Sequence, residues 1–88
     1  MTADVALVTG GASGVGFAIA KALQAAGHRV AIGDIDEPGA VAAAHRLDPH
    51  SGTAIGLSLD VRQEAAFLGA RDTLISRWGS VEILVNNA

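Results

Sequence analysis

Eight residues, TGGASGVG at positions 9–16, constrain this chain more than any others. Four glycines (Gly10, Gly11, Gly14, Gly16) fall between a short apolar run and a stretch with helical spacing. Glycine admits backbone conformations and close approaches that a Cβ forbids. A cluster of them between a strand and a helix marks a sharp turn. The start of the helix also carries unpaired N–H groups and the positive end of its dipole, so such a turn can hold a phosphate. Ser13 would add a hydroxyl donor. The plainer alternative is a tight turn with no ligand. Two common phosphate-loop patterns fail: the spacing is T-G-x-x-x-G-x-G, not G-x-G-x-x-G, and Phe17-Ala18 stand where G-x-x-x-x-G-K-[ST] requires Lys and Ser/Thr.

The surroundings of the turn set the fold class. Residues 4–9 (DVALVT) form a run rich in β-branched types, as in strands buried on both faces. In VGFAIAKALQAAG, 15–27, Phe17, Ala20, Leu23 and Ala26 or Gly27 recur at helical spacing, and Gly27 is a natural stop. Residues 28–34 hold a second strand closed by Asp34. Asp36, Glu37 and Pro38 suit the start of a second helix reaching about Leu47. DPHSG, 48–52, breaks the chain before a third strand over 53–59. A third helix over 63–78 lines up Phe67, Ala70, Leu74 and Trp78 and stops at Gly79, and a fourth strand covers 81–86. This β-α-β-α-β-α-β order predicts an α/β, Rossmann-like doubly wound parallel sheet.

Asp34 closes the second strand about 20 residues after the turn, the place from which an acid accepts hydrogen bonds from a ribose 2′-OH. Alone it could be an ordinary loop acid; after this turn it points to a dinucleotide. A carboxylate there repels the 2′-phosphate of NADP, and neither 9–16 nor 33–40 holds an Arg or Lys to attract it, so NAD is the expected cofactor.

Composition excludes other classes. The absence of Cys rules out a disulfide scaffold and a thiolate metal site. A net charge of −3 with no basic cluster argues against a nucleic-acid surface. The apolar stretch from Val5 to Ala20 is too short and glycine-rich to span a membrane, and no basic n-region precedes it, so a cytoplasmic protein is expected. His28, His45 and His50 share no metal-ligand spacing and read as solvent-facing, as does Lys21; Trp78 reads as a core anchor. With 18 alanines and 11 glycines among 88 residues, the core is small for independent stability. The end at Asn86-Asn87-Ala88, straight after an apolar strand, reads as a cut within a larger domain.

Three motifs in order, Thr9-Gly10-x-x-x-Gly14-x-Gly16, Asp60-Val61 and Leu84-Val85-Asn86-Asn87-Ala88, make the chain resemble the short-chain dehydrogenase/reductase family over essentially all 88 residues. The resemblance implies a cofactor site: Gly10, Ser13, Gly14, Val15 and Gly16 lining the pyrophosphate turn, and Asp34 and Ile35 touching the adenosine ribose. Asp60 and Val61 would bracket the adenine, with Asp60 accepting from its exocyclic amine. Asn87 and Ala88 would pass beside the adenosine, and Asn86 would brace the central strand. Asp60 alone could be an ordinary helix N-cap. Glu82 departs from the family's common Asp.

The family's catalytic Ser, its Tyr-x-x-x-Lys pair and a further Asn lie beyond position 88, so no catalytic residue and no metal ligand is assigned here. A phenol, with an ordinary pKa of about 10, would be a poor base at neutral pH without such a Lys, and this chain holds no Tyr. The expectation is therefore residues 1–88 as the N-terminal part of one NAD-binding domain. The whole protein would move a hydride between NAD and an alcohol or ketone, and the resemblance implies a homo-oligomer. Alternatives are a non-catalytic nucleotide-binding module and, less well matched by the motifs, an S-adenosylmethionine methyltransferase core.

Overall fold

A computed structural model of the chain describes residues 4–87. Seven elements follow the expected alternation: β1 (Val5–Thr9), α1 (Gly14–Ala25), β2 (Arg29–Asp34), α2 (Glu37–Leu47), β3 (Ala54–Ser58), α3 (Glu64–Trp78) and β4 (Ile83–Val85). All strands are parallel, in the order β3-β2-β1-β4. β1 pairs with β2 from Val5↔Arg29 to Thr9↔Gly33 and with β4 from Ala6↔Ile83 to Val8↔Val85. The order reverses between β1 and β4, and a crevice outside the carboxyl ends of the strands opens at such a switch point. The expected doubly wound sheet is thus present, with elements a residue or two shorter than their apolar runs. Among the described residues no helix is long and apolar enough to cross a membrane.

All five β1 residues are buried because helices cover both faces. On one face Val8, Val30 and Ile32 pack with Ala20 of α1 and with Ala40, Ala43 and Ala44 of α2. On the other, Val5, Leu7 and Ala31 pack with Leu59 and with Ala70 and Leu74 of α3, flanked by half-buried Phe67 and Trp78. The alanines of α2 therefore do more than favour helix. They bring its backbone so close to β3 that a Cβ on Gly56 would lie 2.5 Å from the Ala40 carbonyl carbon and oxygen.

The helix ends explain the connections. Gly27 takes a positive φ of 99° and donates to Gln24 O at 3.0 Å, while His28 N donates to Leu23 O at 3.1 Å. This paired closure folds the residue after the glycine back over the last turn. His28 is accordingly half-buried, its Nδ1 enclosed and without a partner among the described residues, not solvent-facing as expected. His45, His50 and Lys21 are exposed, as expected. Asp36 caps α2, its Oδ1 accepting from Gly39 N at 3.1 Å. Gln63, not Asp60, is the N-cap of α3.

Asp48 organises the loop after α2. Its Oδ1 accepts from His50 N at 2.9 Å, and its Oδ2 accepts from Gly52 N, Thr53 N and the Thr53 hydroxyl at 3.0, 2.8 and 2.8 Å. The Thr53 hydroxyl first, then these N–H groups, hold its pKa down to about 2 from an ordinary 3.8. Glu82 ties β4 to β1: its Oε1 accepts from Val5 N at 2.8 Å, and its backbone N–H donates to Val5 O at 3.0 Å. The Ser80 hydroxyl, then Val5 N–H, lower its pKa.

Two outcomes follow from this packing. Gly56→Ala should destabilise the purified protein by about 1–3 kcal/mol in urea unfolding, because the methyl meets helix backbone that has no flexible end to move. A carboxylate with a lowered folded pKa stabilises above its unfolded pKa and loses that contribution as pH falls through the folded value. The stability difference between the natural chain and Asp48→Asn should therefore be constant above about pH 4.5 and shrink towards about pH 2. A difference that is flat over this range would show that Asp48 carries no such linkage.

Candidate functional site

The glycine-rich turn leaves β1 at its buried end. Gly10, at φ 65°, donates to Gly33 O at 2.8 Å, which holds the turn against the end of β2. Ala12 N donates to Asp34 Oδ2 at 3.2 Å, and Asp36 N donates to Asp34 Oδ1 at 3.1 Å. Asp34 thus staples the turn to β2 as well as facing the space beside it. Gly14 takes a φ of 62°, and a Cβ on Gly16 would collide with the Gly10 carbonyl and lie 2.7 Å from Asn87 Nδ2. The positive φ at Gly10 and Gly14 and the absent Cβ at Gly16 are what let the helix start directly over the strand end.

The mouth of α1 is open to an anion. Ser13 is its N-cap in extended conformation, and the hydroxyl makes no capping bond. No acidic side chain lies in the first turn, and Val15 is 69% exposed. First-turn N–H groups and the positive dipole end of a helix can receive an anion that enters from solvent.

Beside this mouth lies a cleft of about 170 Å³ lined by Gly10, Asp34, Ile35, Leu59, Asp60, Val61 and Arg62. It gathers five of the residues expected at the site: Gly10, Asp34, Ile35, Asp60 and Val61. Ser13, Gly14, Val15 and Gly16 stand next to it, at the helix start. Asn87 lies behind the turn, its Nδ2 donating to Gly10 O at 3.2 Å and its backbone N–H to Thr9 Oγ1 at 2.9 Å. Thr9 Oγ1 is also 3.2 Å from Val85 O and 3.3 Å from Asn86 Oδ1, so Asn86 braces the central strand. Ala88 lies outside the described residues.

Two residues of the cleft escape a reading of motifs. Leu59 is buried and closes the floor, donating its N–H to Asp34 O at 2.9 Å and packing over Gly33. Arg62 brings a cation from outside 9–16 and 33–40, the segments where a basic residue was sought. Its Nε and Nη2 donate to Asp60 Oδ1 and Oδ2, each at 2.9 Å, and its N–H donates to Oδ1 at 3.0 Å. The Arg62 guanidinium, then its N–H, lowers the Asp60 pKa, so Asp60 is an acceptor at neutral pH. The signal for both residues was adjacency to Asp60-Val61.

A family model described as short chain dehydrogenase matches residues 4–88. Among curated proteins, sorbitol dehydrogenase of Cereibacter sphaeroides is 45% identical over 83 residues, covering 94% of this chain and 31% of the relative. Among solved structures, menthone neomenthol reductase from Mentha piperita superposes with a TM-score of 0.90 at 33% identity, over 100% of this chain and 32% of the other. A 3-ketoacyl-(acyl-carrier-protein) reductase from Brucella melitensis complexed with NADH gives 0.84 at 34% identity, over 92% and 32%. The chain spans about a third of the length of the curated relatives it matches.

The turn itself yields a test. Gly16→Ala should lower the thermal midpoint and displace Asn87 from the Gly10 carbonyl, visible as a shift of the Asn87 side-chain amide resonances. An Asn87 signal unchanged in Gly16→Ala would contradict the close approach.

Proposed function

The chain belongs to the short-chain dehydrogenase family, and we propose that it forms the adenosine and pyrophosphate half of a nicotinamide dinucleotide site. The observation that carries this is the convergence of an uncapped, acid-free helix start with the Asp34–Asp60 cleft. The residues fit the group: N–H groups at Ser13–Gly16 for the pyrophosphate, Asp34 for ribose hydroxyls, and Asp60 and Val61 for the adenine. Gly16, with no Cβ, lets the helix N-terminus sit close to the turn. The NADH named in the Brucella melitensis reductase complex supports the same ligand class here. Residues 1–88 are then the N-terminal part of a single dinucleotide-binding domain.

When bound, the nicotinamide supplies hydride transfer, and the whole protein acts as an oxidoreductase on a small alcohol or ketone. The sorbitol dehydrogenase and menthone neomenthol reductase relatives support that substrate class. This chain, without a tyrosine, contributes binding and orientation of the cofactor. We infer further that the whole protein is a cytoplasmic homo-oligomer. Family membership leaves the methyltransferase reading without support.

NAD is the preferred form. Asp36 N and Ala12 N hold the two oxygens of Asp34, and a carboxylate held at this strand end supports repulsion of a 2′-phosphate. Like charges brought together there cost several kcal/mol. Equilibrium titration of the purified protein should give a Kd for NAD+ at least about tenfold below that for NADP+, a difference of about 1.4 kcal/mol. Asp34→Asn, which preserves an acceptor for Ala12 N, should narrow the gap. Equal constants in the natural protein would refute the preference, and no binding of either would refute the site.

A further inference from the structure

We propose that Arg62 is a positioning residue that aims the Asp60 carboxylate at the exocyclic amine of the adenine ring. This rests on the dinucleotide reading above and adds to it a residue that the motifs do not contain. Two ion pairs occur among the described residues. Arg71–Asp72, at 3.3 Å, joins neighbours on the exposed side of α3; Arg62–Asp60, at 2.9 Å, lines the cleft. The second is also the only one of the two with a forked geometry, Nε and Nη2 meeting separate carboxylate oxygens.

The hydrogen-bond inventory shows what the fork does. An ionised carboxylate offers about four lone-pair sites. Oδ1 receives Arg62 N and Nε, and Oδ2 receives Arg62 Nη2. Among the described residues one site on Oδ2 is left, and the planar fork fixes its direction. An amine N–H entering the cleft can take it without displacing Arg62. The pair also balances charge: Asp34 and Asp60 line one small cleft, and Arg62 offsets one of them before a neutral adenine enters. The Arg62 side chain is 77% exposed, so the pair adds little to folding stability and its removal is readable in binding. Lysine keeps the charge but has no fork.

The test compares NAD+ with nicotinamide hypoxanthine dinucleotide, which has an oxygen where the adenine carries its amine. Kd values would be measured by calorimetry on the purified protein and on Arg62→Ala and Arg62→Lys, with thermal midpoints alongside. The expected result is a natural protein that binds NAD+ about fivefold tighter than the hypoxanthine analogue. Both variants should lose most of that preference, chiefly through weaker NAD+ binding, with an unchanged thermal midpoint. A preference kept in full by Arg62→Ala overturns the proposal. One kept in full by Arg62→Lys overturns it too, because charge alone would then suffice. A natural protein that binds both dinucleotides equally well overturns it while leaving the dinucleotide site intact. A natural protein that binds neither removes the site and this proposal together.

Discussion

Where α1 begins, its backbone lies against the Gly10 carbonyl with no room for a Cβ at Gly16, and the rest of the site follows from that contact. It sets the helix start directly over the end of the central strand. The first-turn N–H groups then face the crevice where the strand order reverses. The Gly10–Gly33 and Ala12–Asp34 hydrogen bonds fix the turn to β2, and Asn87 fixes it to the segment after β4. Three strand ends are thereby locked to one turn. A side chain at position 16 would meet both the Gly10 carbonyl and the Asn87 side chain, which is a stronger constraint than the loss of flexibility usually assigned to a glycine.

The fold was legible because each element has both a periodic interior and a chemical stop. Gly27 and Gly79 end α1 and α3 at positive φ, and Asp36 with Pro38 starts α2. The candidate site was legible in part. Asp34 and Asp60 stand at strand ends, so a parallel sheet brings them to one edge whatever the details. Their partners were not legible, because those depend on backbone direction and rotamer. Nothing in the spacing says that Asp34 also accepts from Ala12 N, or that Asp60 is held by Arg62 and is not the cap of α3. His28 shows the same limit: the turn made by Gly27 carries the imidazole inward, an effect of chain direction that polarity alone does not predict.

Packing and electrostatics meet at the cleft. Leu59 covers Gly33 and bonds to Asp34 O, so the floor is apolar and β3 is tied to β2 just beneath the two carboxylates. Gly56 allows α2 to lie on β3 from the other face, which holds that strand end in place. One carboxylate is stapled by backbone N–H groups and the other by a guanidinium, and both residues line the cleft. The small residues that thin the core are the same ones that permit these short separations.

In the function proposed above, the helix start and the Asp34–Asp60 cleft form one adenosine-diphosphate site. The most direct measurement is a titration of ADP into the 15N-labelled protein, followed by its backbone amide resonances. Saturable shifts are expected at Ser13, Gly14, Val15 and Gly16, together with Ile35, Val61 and Arg62. Shifts centred on α3 or on the outer face of α2, or none at ADP concentrations that saturate related sites, would contradict it.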